Sequence, residues 1–204
     1  MRLFIRNIET LELDGGLLCL NFINTVRNRN DKPLEDYLTD RGAWLKWIKR
    51  LKIISYNGLE DLNSKIENHD FSTKFLKKIV TNRELLCRIF VNIANNKKPT
   101  NKDIYQLNKS IKESMKYVEI DIERNRQVVE SWDKRPVSIL SPLDIIMQSA
   151  YDLLRSDDLH KVKECENCGW LFLDRSKNKT KKWCNMQTCG SSVKSRKYYS
   201  KRIA

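Results

Sequence analysis

C165-E-N-C168 and C184-N-M-Q-T-C189 decide how the C-terminal quarter of this chain folds. Two residues separate the first pair, four the second, and fifteen lie between the pairs. Four thiolates in two close pairs can surround one tetrahedral Zn²⁺, with Zn–S near ~2.3 Å. Each pair closes on one side of the metal, and the stretch between them is long enough for a β-hairpin. Trp170, Leu171, Phe172 and Leu173 would lie on one strand and Trp183 on the other. The segment is rich in Lys and Arg and has too little apolar material to fold without a staple. Structural zinc supplies ~10–16 kcal/mol. Cys165, Cys168, Cys184 and Cys189 fill the shell and leave no open position for a reacting water, so the single Zn²⁺ is structural. His160, close upstream, is a surface residue. Disulfides would need an oxidising compartment, which nothing in the sequence marks.

The charge is as uneven as the cysteines. Formal net charge is +13 over 204 residues. From His160 onward twelve Lys and Arg face three Asp and Glu, a net +9, which leaves +4 for residues 1–159. A basic module beside a near-neutral one points to nucleic acid as the partner, with an anionic membrane surface as a weaker alternative. Within D174-R-S-K-N-K-T-K-K182, Arg175, Lys177, Lys179 and Lys181 alternate with polar residues and Lys182 follows. At a hairpin tip they would form one cationic edge. A helix starting near Cys189 would put Lys194, Lys197 and Lys201 on one side, with Arg196 and Arg202 on the flank. Arg175, Lys177, Lys179, Lys181, Lys182, Lys194, Arg196 and Lys197 are thus the candidate nucleic-acid contacts. Of Tyr198 and Tyr199, one is expected to pack under the helix and the other to stack on bases. A knuckle, a hairpin and a helix whose start supplies the last ligands make a treble-clef-like Cys₄ finger.

Residues 1–158 read as a mainly helical domain, with residues 159–204 as the finger, an α+β chain overall. Leu11 and Leu13 alternate ahead of Asp14-Gly15-Gly16 and predict a strand and a turn. In L17-L-C-L-N-F-I-N-T-V26, Cys19 reads as a small buried hydrophobe. Asn21, Asn24 and Thr25 interrupt that run. They either brace the following polar loop or line a ligand pocket with Trp44. Ala43, Trp44, Trp47, Ile48 and Leu51 predict a helix over 39–51, its tryptophans in the core. Asn57-Gly58 marks a turn, a short helix is expected over 59–66, and His69 is solvated. Residues 73–95 carry a long apolar stripe, with Cys87 at its edge. Thr100 and Asp103 form a capping box for the next helix. Val118, Ile120 and Ile122, then Val128, Glu130 and Trp132, predict a hairpin with one wet face. Ser141-Pro142-Leu143-Asp144 opens the last helix of the domain, with Ser141 as its N-cap.

C165-E-N-C-G-W-L-F-L-D-R-S-K-N-K-T-K-K-W-C-N-M-Q-T-C-G190 resembles the CGNR-type zinc finger. That pattern runs CxxC, an aromatic strand, F-x-D-x-S-x-N, a basic pair, W-C-x-M and C-G-N-R. More loosely, G15-G-L-L-C-L-N-F-I-N-T25, W44-L and a later L-x-W resemble the ABATE domain that precedes such fingers in bacterial proteins. The resemblance implies a stress-related bacterial transcription regulator, with the finger on DNA and the N-terminal domain sensing a ligand. One departure stands out: Ser191-Ser192 replaces the Asn-Arg after Cys-Gly. Lys194, Arg196 and Lys197 are placed to compensate for that lost arginine.

No paired catalytic carboxylates, Ser–His arrangement or phosphate-cradling Gly motif is present, so the chain reads as a binding protein and not an enzyme. The N-terminus has no secretory pattern and no apolar run is long enough to span a bilayer, so a cytoplasmic location is expected. The rival readings are an RNA-binding module and a protein-interaction adaptor with purely architectural zinc. Oligomeric state is not encoded in any pattern.

Overall fold

A computed structural model describes residues 7–53, 73–131 and 140–203. The expected turn at Asn57-Gly58, the short helix over 59–66, His69 and Trp132 lie outside the described residues. The order of elements is α1 (Leu18–Ile23), α2 (Arg41–Arg50), α3 (Thr73–Ala94), α4 (Asn101–Met115), β1 (Glu119–Ile122), β2 (Val128–Ser131), α5 (Ser141–Arg155), β3 (Val162–Glu164), β4 (Leu171–Leu173) and α6 (Ser191–Ile203). The chain is α+β, with two small antiparallel sheets, β1–β2 and β3–β4.

The strand expected near the start is not formed. Residues 11–13 are irregular, and the apolar run behind them begins a short helix instead. Leu-Cys-Leu-Asn-Phe-Ile is apolar on almost every side, and α1 accordingly buries Cys19, Leu20, Phe22 and Ile23 among α3, α5 and β4. Asp40 caps α2 by accepting from the Ala43 backbone N–H at 2.9 Å. Ala43, Trp44, Trp47 and Ile48 line the buried face of α2. Trp44 and Trp47 stack with ring centroids 5.8 Å apart, and Phe22 meets Trp44 at 6.1 Å.

The capping box forms as read: the Thr100 hydroxyl accepts from the Asp103 N–H at 3.1 Å. Asp103 also accepts from Arg88 at 2.8 Å, which ties the start of α4 to the middle of α3. The Arg88 hydrogen bond, foremost, holds the Asp103 carboxyl below the usual carboxylate range. α5 begins at Ser141 with Pro142 in its first turn, but Leu140, not Ser141, occupies the N-cap.

The β1–β2 hairpin forms in the register Ile120↔Glu130 and Ile122↔Val128. It has two wet faces where one was expected. Ile120, Ile122 and Val128 are 65%, 69% and 59% exposed. The helices on either side of it, α4 and α5, pack directly on each other, so the hairpin between them in sequence has no core face to cover.

The core does not stop at the finger. Leu11, Phe22, Trp44, Ile79 and Phe90 belong to one buried cluster with Trp170, Leu171, Phe172 and the four clustered cysteines. β3 and β4 pack against α3, and β4 against α1. The 158/159 division therefore falls in a short turn between two parts that share one apolar interior.

Candidate metal centre and basic face

The first two cysteines sit at the tip of the β3–β4 hairpin. Val162↔Leu173 and Glu164↔Leu171 pair, and the chain turns through Cys165–Trp170 between them. The Cys165 N–H donates to the Trp170 carbonyl at 2.8 Å, and the Gly169 N–H to the Cys165 carbonyl at 2.9 Å. Gly169 has φ +68°, and a Cβ there would lie 2.8 Å from Cβ of Arg29, so glycine is required on two grounds. The hairpin thus flanks the first cysteine pair. It does not span the stretch between the pairs as expected, and Trp183 lies outside any strand. β4 finds its partner in Val162–Glu164 because that segment adds a buried valine opposite Leu173, whereas residues 174–182 offer no apolar side chain.

Of the second pair, Cys189 sits on a π-turn over Met186–Gly190 that leads directly into α6, and Cys184 lies just ahead of it. The Asn185 side chain caps it by accepting from the Gln187 N–H at 2.8 Å. All four Sγ atoms are buried and lie within 4.8 Å of one another. The Cys168–Cys184 and Cys184–Cys189 Sγ separations are both 3.7 Å. A tetrahedral zinc with Zn–S of ~2.3 Å requires S···S edges of about 3.8 Å. The cluster has that size, and the donor set is the one zinc prefers.

Four thiols this close cannot all ionise unaided. Contacts with Cys168, Cys184 and Cys189 hold Cys165 far below the ordinary thiol value, while the contact with Cys165 first of all drives Cys168 and Cys184 above it. A divalent cation removes that conflict and lets all four bind as thiolates. Backbone N–H groups of Cys184 and Trp170 favour the ionised sulfurs of Cys165 and Cys168. The four cysteines are therefore a zinc site. Cys19 and Cys87 are buried elsewhere, and burial pushes the Cys19 thiol up to about 11.

Residues 161–202 match the CGNR zinc finger. The match covers the knuckle, both cysteine pairs and nearly all of α6. No curated protein matches the chain.

Asp174, the acid of the F-x-D-x-S-x-N pattern, organises the basic loop. Its side chain is fully buried. It accepts from Lys163 Nζ at 2.8 Å, the Ser176 hydroxyl at 2.6 Å and the Lys181 N–H at 3.0 Å. Burial opposes ionisation of Asp174, but these donors overcome it and hold the carboxyl below the usual range. Lys163 Nζ also bonds the Lys179 and Lys181 carbonyls. Arg175, Lys177, Lys179, Lys181 and Lys182 are all exposed on a loop whose backbone is held from inside. Lys179 Nζ meets His160 Nε2 at 2.9 Å, so His160 lies beside the basic loop and outside the cysteine cluster.

Lys194, Arg196 and Lys197 are exposed on α6. The Lys182 backbone carbonyl accepts from the Glu166 N–H at 3.0 Å, and Arg196 Nη2 bonds Asn167 Oδ1. Loop and helix thus meet adjacent residues of one zinc knuckle and form two cationic walls beside it. Tyr198 and Tyr199 are 56% and 61% exposed, and they meet edge to face at 5.6 Å. Neither packs under the helix, contrary to the expectation for one of them. Ser191 starts α6, and its hydroxyl donates to the Met186 carbonyl at 3.2 Å, where the related fingers have Asn.

Asn21 lies on α1, Asn24 and Thr25 directly follow it, and Trp44 meets Phe22 of the same helix. Asn24 Nδ2 donates to the Leu171 carbonyl at 2.8 Å, and its Oδ1 accepts from the Leu171 N–H at 3.0 Å. The side chain behaves as an extra strand edge for β4. Asn21 Oδ1 accepts from the Gly15 N–H at 2.9 Å. Thr25 donates to the Phe22 carbonyl at 2.8 Å, and Trp44 is wholly buried beside Trp47. These bonds are the bracing expected of the polar trio. Buried polar groups here are spent on backbone that would otherwise lack partners.

One network had no signal in the sequence. Arg83 is 1% exposed and donates to both Asp36 oxygens at 2.7 and 2.6 Å, to Glu84 at 2.8 Å and to the Thr25 hydroxyl at 3.2 Å. Arg29 bonds Glu84 at 2.6 Å and the Ile23 carbonyl. The same Arg29 donates its backbone N–H to the Cys168 carbonyl at 2.8 Å. Trp170 Nε1 donates to the Val26 carbonyl at 3.0 Å. The loop over 27–38 therefore connects α3 to a zinc-ligand turn.

Proposed function

We propose that the C-terminal finger binds the phosphate backbone of duplex DNA, and that the chain acts in the cytoplasm as a transcription regulator and not as an enzyme. The observation that carries this reading is the pair of exposed cationic elements, loop 175–182 and α6, which flank one metal-stapled knuckle. A rigid knuckle holds the two walls at fixed separation, and lysine and arginine on both supply affinity without sequence information. Any base reading falls to the exposed face of α6, because the early Arg of the family motif is Ser192 here. The ABATE-like features of residues 15–25 and Trp44 support the regulatory part of the reading.

The exposed Tyr198–Tyr199 pair favours a second reading, single-stranded RNA, whose unpaired bases stack on aromatic rings. Selection of bound sequences from a random duplex DNA pool at ~150 mM salt separates the two. It uses zinc-loaded protein beside a Lys194→Glu/Arg196→Glu/Lys197→Glu variant. An enriched motif that the variant loses is the expected result. If about five phosphates are neutralised, affinity drops by roughly two to three decades between 50 and 200 mM salt. Preference for single-stranded RNA in direct competition would replace DNA with RNA. Retention of neither nucleic acid would defeat both readings and turn attention to an acidic protein partner.

A further inference from the structure

We propose that the cleft between α3, α4 and α5 is a binding site for an anionic small molecule with an apolar body. The cavity has a volume of about 580 Å³, within the range that encloses cofactor- and drug-sized ligands. Its floor is apolar, formed by Leu85, Leu143 and Met147, all buried, with Leu140 beside them. Ser114 is 5% exposed and lines the cleft, and its hydroxyl takes no hydrogen-bond partner among the described residues. That hydroxyl is left available to a ligand in the cleft. Asn82, by contrast, is satisfied internally: it donates to the Lys78 carbonyl at 2.9 Å and accepts from Ser110 at 3.0 Å.

The charge at the mouth sets the ligand class. Lys78, Lys102 and Lys109 are exposed along the rim, and none has an ion-pair partner among the described residues. The other charged groups of the lining are already balanced. Arg88 pairs with Asp103 at 2.8 Å and Glu113 with Lys116 at 2.5 Å. Asp144 sits in the first turn of α5, where the helix N-terminus favours an anion. Lys78, Arg88, Lys102 and Lys109 against Glu113 and Asp144 leave the lining two positive charges in excess, over an apolar floor with one idle hydroxyl. That combination suits a carboxylate, sulfonate or phosphate on an aliphatic or aromatic frame. The site lies apart from Asn21, Asn24, Thr25 and Trp44. It rests on α3 and α5, the helices that also pack against the finger, through β3 and the turn at 159–161 respectively.

The test is a fluorescence titration of the zinc-loaded full-length protein with two probes. One is 8-anilinonaphthalene-1-sulfonate, an anionic aromatic molecule, and the other is the neutral N-phenyl-1-naphthylamine. Saturable binding of the sulfonate at one equivalent is expected. Lys78→Glu/Lys109→Glu is expected to weaken the sulfonate at least about tenfold and to change the neutral probe less than about twofold. Met147→Trp, which fills the floor, is expected to remove both. Circular dichroism checks the fold, and if Met147→Trp does not fold the lysine variant decides alone. Absence of saturable binding, equal sulfonate affinity before and after charge reversal, or parallel loss of both probes in a folded lysine variant would overturn the proposal.

Discussion

The helical part and the finger reach a buried interior by opposite routes. Around α1 and α2, Phe22, Trp44, Trp47 and Ile48 are wholly buried and form an apolar core that needs no metal. The finger has Leu171, Phe172 and Leu173 on one strand, Trp170 just ahead of it, and little else apolar. Its second cysteine pair and α6 are held by the metal, and the described residues of α6 are almost all exposed. The difference teaches where each part can be changed. Substitutions at the apolar positions of the helical part act through cavities, whereas the finger depends on four sulfurs, one buried carboxylate and the bonds that seat it on the core.

The largest effect should come from the metal. Removing zinc with a chelator, or Cys184→Ser, is expected to abolish stoichiometric zinc and unfold residues 174–203, since structural zinc contributes ~10–16 kcal/mol. Because the finger shares its core with α1 and α3, the Tm of the whole chain should fall in one transition. Zinc retained at one equivalent in the variant would remove the metal assignment. A separate C-terminal transition that leaves the helical Tm unchanged would restore the picture of two independent domains.

Asn24→Ala tests the seam between the two parts. It deletes two buried bonds and leaves the Leu171 N–H and carbonyl without partners. A loss of about 2–3 kcal/mol in urea unfolding is expected, with no ligand added and with zinc affinity reduced. An unchanged midpoint would return Asn24 to the ligand-binding reading.

Asp174 gives the smallest effect and separates loop order from zinc. Its carboxyl lies below the usual range in the folded chain, so its contribution is fully present above the ordinary carboxylate range. That contribution is lost as pH falls through the lower folded value. Asp174→Asn should cost about 1–3 kcal/mol at neutral pH and nothing at strongly acidic pH. Urea midpoints of both proteins should therefore differ by a constant amount above the ordinary carboxylate range and converge as pH falls below it. Parallel curves would show that the carboxylate does not hold the loop.

Much of this was legible from residue type and spacing alone. The four cysteines, the Thr100–Asp103 cap, the Trp44–Trp47 face and the long stripe of α3 are local patterns, and each forms where its pattern lies. What failed depended on which neighbour a segment packs against or pairs with, which its own pattern does not state. β4 pairs with Val162–Glu164 in preference to the basic loop because burial, not proximity to Trp183, selects its neighbour. Leu11 to Leu13 reads as a strand but has no paired neighbour. Ile120 and Ile122 alternate correctly for a strand, yet both are exposed.

The chemistry of the zinc site follows from sequence by itself, because a short loop can bring paired thiols together without knowing the rest of the fold. The basic character of the finger is equally local, a matter of composition. Only the tertiary structure decided what Asn24, Thr25, Arg83 and Asp174 do. Asn24, Thr25 and Arg83 are polar groups buried against groups far away in sequence: Asn24 meets Leu171, and Arg83 meets Thr25 and Asp36. A polar residue in an apolar run announces that it needs a partner. It does not say whether that partner is a ligand or the chain's own backbone, since both offer the same hydrogen bonds and only the assembled fold brings one of them within reach.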